Sequence, residues 1–398
     1  MVKISKKTID EVVKNIRIED VIGEYLKLHK VGRNYITLCP FHDEKTPSFV
    51  VSPEKQIYKC FGCSASGNVI TFVREYLNLS FKDAVEYLAG KYSIKIEYEN
   101  LKELPKESTI LDEIHDIFKD ELIKDKQAIE YLRSRGLTDK DIIDWEIGLA
   151  RTKKILSLKN SDKIIQELKK INILNEKNTL IFENRIIFPV KKINGSIVGY
   201  VGRSISENSR SKYINSPNSD IFIKSKVIYG LDKAFKNIIS TKEAIVVEGI
   251  FDVLALHRFF PNTVGVLTAN ITEAQANVLS KYAKKVILMF DNDVAGLSGT
   301  EKAISTLFKK GIEVKVVEYN SKDPDEAIKK EKNIIKNIKE AKDPVIKLLD
   351  EAIKSIGDND FNKVRENIEK LTILVNSVSN NVLKSSYKAI LTNYGIEL

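Results

Sequence analysis

Three cysteines in 398 residues are too few for a disulfide framework, and their scarcity points to a reducing compartment. Histidine is nearly as rare, with four residues. No apolar run approaches the length needed to cross a bilayer, which argues against an integral membrane protein. The N-terminal stretch MVKISKKTIDEVVKNI is amphipathic and lacks an apolar signal core, so a cytoplasmic protein is expected rather than a secreted one. Internal repeats and low-complexity tracts are also missing. What is present is an ordinary core-forming share of apolar residues, 43%, which excludes a wholly disordered chain. The length accommodates roughly two to four domains.

A net charge of +9, spread over the whole chain, is only a weak hint of a polyanionic partner. Its distribution is sharper. Residues 151–240 carry +11, residues 101–150 carry −5, and residues 241–330 balance to zero with clustered carboxylates. A polyanion is expected to lie against the basic block, although solvated helix faces account for Lys153, Lys154, Lys169 and Lys170 equally well.

Residues 1–36 read as helical, 37–63 as short strand-like pieces that hold every cysteine, and 68–92 as helical again. Residues 97–110 are polar and contain Pro105, the composition of a linker. Residues 110–150 read as helical, and Thr138 followed by Asp141 has the spacing of a capping box. Residues 180–231 are β-rich, with Asn194-Gly195 between two alternating runs as a hairpin signal. From 244 to 330 strand and helix patterns alternate, which implies a parallel sheet with right-handed crossovers. Residues 343–398 read as about three amphipathic helices.

Cys39 and His42 form C-x2-H, and Cys60 and Cys63 form C-x2-C seventeen residues later. Two short-spaced pairs on separate turns suit a tetrahedral Zn²⁺, and four protein ligands leave no open position, so one structural ion is expected. His29, His115 and His257 lack partners at ligand spacing. The segment around these ligands mixes Phe41, Phe49, Tyr58 and Phe61 with Lys45, Lys55 and Lys59. Aromatics among cations suit a single nucleic-acid strand, with bases stacked and phosphates paired. The same aromatics also suit the core of a small zinc unit, so only one or two are expected at the surface.

Acidic residues follow three strands of the alternating block. Glu248 ends AIVVEG, with Asp252 four residues on; Asp291 and Asp293 end KKVILMFDND; Asp323 and Asp325 follow IEVKVVEY. In an open α/β sheet, ligands bind beyond the carboxyl ends of the strands. Carboxylates gathered there repel one another and call for divalent cations, a site suited to phosphoryl transfer. Each residue taken alone is better explained as a helix N-cap, whereas three such strand ends together favour the metal site.

The segments CPFHDEKTPSF, YKCFGC and SGNVITF resemble the zinc-binding domain of DnaG-type bacterial primases. ENRIIFP, VGYVGR, KYINSP and FIKSKVIYGL resemble the basic half of that family's RNA polymerase domain. VVEGIFDVLAL, FDNDVAG and DPDE resemble its TOPRIM half, and LVNSVSNNVLKSSYKAILTNYGI its closing helical subdomain. The resemblance implies a multidomain α+β protein: a zinc ribbon with helices over 1–98, a linker over 99–110, a mixed α/β basic subdomain over 111–240, a TOPRIM parallel-sheet subdomain over 241–330 and a helical bundle over 331–398. It implies synthesis of short RNA primers from ribonucleoside triphosphates on single-stranded DNA, passing through an RNA–DNA hybrid. Glu248, Asp291 and Asp293 would then hold catalytic Mg²⁺ or Mn²⁺, with Asp252, Asp323 and Asp325 completing the acidic cluster. Arg135, Arg185, Arg203, Lys212, Tyr213, Lys224 and Lys226 would grip template and nucleotide phosphates. Arginine suits this because its planar fork bonds phosphate oxygens in pairs. A bacterial cytoplasm, or a host cytoplasm for a phage or mobile-element protein, is implied.

Two departures from the family pattern stand out. Where relatives carry Leu-Gly-Thr after the second TOPRIM strand, this chain has Leu267-Thr268-Ala269-Asn270, and Thr268 is expected to narrow the approach to the metal site. The chain also stops where cellular members continue into a domain that docks on the replicative helicase, so that contact is expected to be lost or made elsewhere. The altered loop keeps open a single-strand-binding accessory protein with a vestigial TOPRIM site. E-G with D-x-D alone would also fit a TOPRIM nuclease or topoisomerase.

Overall fold

The computed structural model describes residues 3–396 apart from 78, 93, 95, 97, 100–105, 159–160, 207–208 and 210. The chain divides into two units, Met1–Leu104 and Pro105–Leu398.

The N-terminal unit opens with the helices Lys6–Asn15 and Ile18–Gly23, the first capped by the Ser5 side chain on the Thr8 N–H. An antiparallel sheet follows in the order His29–Val31, Asn34–Thr37, Phe49–Ser52, Ile57–Cys60, Ser66–Gly67. The first two strands correct the expectation of helix up to residue 36. Val31 pairs with Asn34 across a two-residue turn, and Gly32 takes φ +61°, a conformation that hairpin turns demand and glycine supplies without strain. Helices Val69–Tyr76 and Phe81–Lys91 complete the unit, and Lys3–Ile4 pairs with Tyr98–Glu99.

In the second unit the helix Lys106–Lys124 begins inside the stretch expected as linker. The Thr138–Asp141 capping box is present and opens Asp139–Asp144. Four antiparallel strands follow the order Tyr213–Asn215, Ile197–Ser204, Arg185–Lys191, Gly148–Leu149. Asn194-Gly195 joins the two long strands, with Gly195 at φ +84°. The second sheet is parallel, in the order Thr263–Gly265, Glu243–Val247, Lys285–Leu288, Glu313–Val316. One buried cluster ties the two sheets together, including Trp145, Phe188, Tyr229, Val247, Phe251 and Met289. Ile334 and Ile338 belong to that cluster too, so the short helix Ile334–Lys339 packs with the sheet layer although it lies in the stretch expected to be the helical bundle. The three expected helices are Pro344–Gly357, Phe361–Ser377 and Asn381–Thr392.

Candidate functional site: a zinc-type cluster and an acidic sheet end

Cys39, His42, Cys60 and Cys63 bring their ligand atoms within 4.8 Å of one another. Cys39 Sγ and Cys63 Sγ are 3.8 Å apart, which matches the roughly 3.8 Å edge of a tetrahedron built on a Zn–S bond near 2.3 Å. The Phe41 N–H donates to Cys39 Sγ at 3.4 Å, and the Gly62 and Cys63 N–H groups donate to Cys60 Sγ at 3.3 and 3.4 Å. Burial opposes ionisation of Cys60, but its hydrogen bonds, those of the Gly62 and Cys63 amides among them, outweigh it and bring the thiol down to about 6. Gly62 leaves room for the histidine, since a Cβ there would lie 2.6 Å from His42 Nε2. The quartet therefore has the composition and geometry of a structural Zn²⁺ site.

Glu44, which the sequence reading did not single out, holds this cluster in shape. One carboxylate oxygen accepts the Cys39 N–H at 2.7 Å and the Ser48 N–H at 3.1 Å. The other accepts the Ser48 hydroxyl and faces His42 Nε2 at 3.3 Å. His42 Nδ1 meanwhile faces the sulfurs, 3.9 Å from Cys60. This is the carboxylate–histidine arrangement that fixes the tautomer of a zinc ligand.

Most of the aromatics serve the core. Phe49 and Tyr58 are buried and stacked with ring centroids 4.9 Å apart, and Phe41 packs on both at 6.0 and 5.9 Å. Phe61 alone of the four is strongly exposed, at 70%, and Lys59 Nζ sits 5.4 Å from its ring centre. Ile57 and Lys59 share the outward face of their strand, and Lys55 is exposed just before it.

At the parallel-sheet end, Glu248 Oε1 accepts the Asp291 N–H at 3.2 Å. Burial and the neighbouring carboxylates push Glu248 up to about 7 and Asp291 up to about 6. Asp291 Oδ1 is buried with no hydrogen-bond partner. An uncompensated oxygen among mutually repelling carboxylates is what a divalent cation satisfies, so these residues fit one. Gly296 permits the geometry, because a Cβ there would fall 2.1 Å from the Asp291 carbonyl oxygen and 3.1 Å from Glu248 Oε1.

The remaining acidic residues have other engagements. Asp293 and Asp323 cap helices through one oxygen each, on the Gly296 and Glu326 N–H groups, both at 2.8 Å. Asp252 is buried and accepts the Gly249 N–H at 3.0 Å and the Asp325 N–H at 3.1 Å. Asp325 is buried and paired, with Arg135 at 2.9 Å and Lys329 at 2.7 Å. Among the described residues, the Cys/His quartet is the one group of metal-type ligands whose donor atoms lie within 4.8 Å of one another.

Cations face this end. Arg203 is 5% exposed, and its guanidinium donates to the Tyr131 and Tyr213 hydroxyls. Lys212 is pushed down, first by Arg203, then by burial, Arg135 and Lys322. Lys322 also counters the upward shift of Asp291 and was not singled out from sequence. Arg185, at the start of its strand, is spent on the loop before Tyr213, donating to the Ser211 and Lys212 carbonyls and the Ser209 hydroxyl. Lys224 is half-buried and Lys226 exposed, on the turn before Tyr229. A cavity of about 730 Å³ opens beside Asp291, lined also by Asn292, Leu297, Tyr319, Lys347 and Ile373, a size typical of small-molecule sites. The Thr268 hydroxyl bonds the Val266 and Asn270 carbonyls within its own loop, and the neighbouring Leu267 N–H donates to the Glu248 carbonyl at 3.1 Å.

Fold and sites together define a zinc-ribbon protein with a basic α/β half fused to a Toprim-type acidic sheet. Family models agree segment by segment, matching a CHC2 zinc finger over residues 4–104, the N-terminal domain of a DNA primase catalytic core over 117–235 and a Toprim-like domain over 245–328. A DNA primase of Aquifex aeolicus is 40% identical over 328 residues, 81% of this chain and 66% of that protein; one of Clostridium acetobutylicum is 38% identical over 366 residues, 88% of this chain and 59% of that protein. The crystal structure of the zinc-binding and RNA polymerase domains of the Aquifex aeolicus primase superimposes with a TM-score of 0.68 at 33% identity, covering 98% of this chain and 97% of that one. The chain belongs to the DnaG-type family of bacterial DNA primases. It spans about 59–66% of the length of these two curated relatives, and no described helix is long and apolar enough to cross a membrane.

Proposed function

We propose that the chain is a DNA-dependent RNA polymerase that makes short RNA primers on single-stranded DNA for replication. One observation carries the reading: an unpartnered Asp291 oxygen beside Glu248, faced by cations, at the end of a Toprim sheet in a primase-family chain. Mg²⁺ or Mn²⁺ held by Glu248, Asp291 and the uncapped oxygen of Asp293 would neutralise charge on the attacking and leaving oxygens. Asp252, Asp323 and Asp325 act through geometry, fixing the loops that carry those residues. Arg203, Lys212 and Lys322 bind the triphosphate of the incoming ribonucleotide as the 3′-hydroxyl of the previous one attacks its α-phosphate and pyrophosphate leaves. Glu248 would also take the proton of the attacking hydroxyl. Phe61 with Lys59 offers a stacking platform to a single strand, and Lys224 and Lys226 supply further phosphate contacts.

Incubation with single-stranded DNA, Mg²⁺ and labelled ribonucleotides should give short RNA. Absence of product on several templates rejects the proposal. Salt-sensitive DNA binding without synthesis would indicate an accessory binding protein, and nicking of supercoiled plasmid a Toprim nuclease.

A further inference from the structure

We propose that Phe251 is a positioning residue for phosphate binding, a ring that holds Arg135 and Arg203 side by side; the inference rests on the polymerase reading of the site. Phe251 is buried, and both guanidinium carbons lie over it, Arg135 at 4.5 Å and Arg203 at 5.0 Å from the ring centre. Two cations sharing one ring repel each other, and the negative potential of the ring faces offsets part of that repulsion. The rest of their surroundings is unequal. Arg135 is tied to Asp325 through one nitrogen, while its Nε is buried without a hydrogen-bond partner. Arg203 hydrogen-bonds two phenols, with its guanidinium also over the Tyr131 and Tyr213 rings at 5.4 and 4.7 Å.

Asp325 is the one carboxylate paired with these two guanidiniums among the described residues, and Arg203, buried among phenols and rings, is left with no anion of its own, which is a costly arrangement. The joint field of the two is felt by Lys212, whose ammonium both of them disfavour. A chain of phosphates satisfies all three. The placement of the ring links this cationic seat to the acidic one. Phe251 lies in a single turn with Glu248 and Asp252, and Asp252 receives the N–H of Asp325, the residue that anchors Arg135. One five-residue segment thereby sets the spacing between the carboxylates and the phosphate-binding pair.

The test uses the full chain and inorganic tripolyphosphate, with Phe251→Met as a change of similar volume that lacks a ring, and Phe251→Tyr as the conservative variant. Calorimetric binding of tripolyphosphate should weaken about tenfold in Phe251→Met and stay within about twofold in Phe251→Tyr. The double variant Phe251→Met/Arg203→Lys should lose less than the product of the single losses, the mark of two residues acting together. In primer synthesis, Phe251→Met should raise the KM for ribonucleotides and leave kcat and the Mg²⁺ requirement near wild type. Unchanged tripolyphosphate binding in a Phe251→Met protein that melts like wild type overturns the proposal, as do fully multiplicative losses. Should Phe251→Met fail to fold, Phe251→Leu takes its place under the same criteria. Binding is read without synthesis, so a chain that binds tripolyphosphate in a ring-dependent way yet makes no primers supports the ring's role and rejects the polymerase reading.

Discussion

Glutamine in place of Glu44 keeps the shape of the side chain and upsets the zinc cluster through a proton. Its oxygen can replace the carboxylate oxygen that accepts the Cys39 and Ser48 N–H groups. The amide NH₂ then lies where the second oxygen now faces His42 Nε2 at 3.3 Å. Two donors cannot face each other, so the imidazole is driven to carry its proton on Nδ1, the nitrogen turned toward the sulfurs. A protonated Nδ1 cannot bind a metal. Loss of such an orienting partner costs about 10–100-fold in metal affinity. Titration against a chromophoric chelator at pH 7.5 should show zinc held that much more weakly in Glu44→Gln. The pH dependence has a definite sign. Hydrogen bonds led by that of Ser48 hold the Glu44 carboxyl below its ordinary value, so its contribution is full above about 4.5 and is lost as pH falls through the lower folded-state value. Wild-type zinc affinity in the Glu44→Gln protein would refute the reasoning.

Three further outcomes follow from other sites. Gly296→Ala places a methyl group against the Asp291 carbonyl and should cost about 1–3 kcal/mol, read by thermal melting, together with a higher Mg²⁺ requirement for synthesis. Glu248, Asp252 and Asp291 are raised to about 7, 7 and 6, so the metal-free fold binds more protons than the unfolded chain between pH 4 and 7. Its melting temperature should therefore fall across that window from these groups, and stabilisation by Mg²⁺ should be larger at pH 8 than at pH 5; equal stabilisation at both would exclude the cluster as the cation site. His115 is buried against Tyr200 with a Glu146 carboxylate oxygen 4.0 Å from its Nε2, and burial lowers it to about 4. Its neutral form stabilises the fold above pH 6.5, and that contribution, up to about 3 kcal/mol, is lost as pH falls to 4; His115→Phe should flatten the acid limb of the melting profile.

Features written in local sequence survived into the structure, and features set by distant partners did not announce themselves. The Cys/His quartet, the Thr138–Asp141 capping box and the Asn194-Gly195 hairpin each depend on a few adjacent residues, and each was legible. The hairpin over 29–37 was not, because strands of three and four residues are too short for alternation to stand out from a helical pattern. The role of Glu44 was hidden because carboxylates abound and nothing in CPFHDEKTPSF distinguishes the one that reaches back to the metal ligands. The acidic strand ends were readable as a group, but the sequence could not separate Asp291, with a buried unpartnered oxygen, from Asp325, neutralised by an arginine 190 positions away. Leu267 adopts φ +56°, a strained conformation for a leucine, and composition gives no sign of it. The loop it belongs to is tied to the acidic strand end, with the Leu267 N–H on the Glu248 carbonyl at 3.1 Å.

On the proposed function, nucleotides are joined at the Glu248–Asp291 end of the parallel sheet. Primer synthesis by Asp291→Asn, compared with wild type on the same single-stranded template with saturating ribonucleotides and Mg²⁺, tests it most directly. The rate should fall at least about a hundredfold in a protein that keeps its zinc and its DNA affinity. Primers made at the wild-type rate would contradict it.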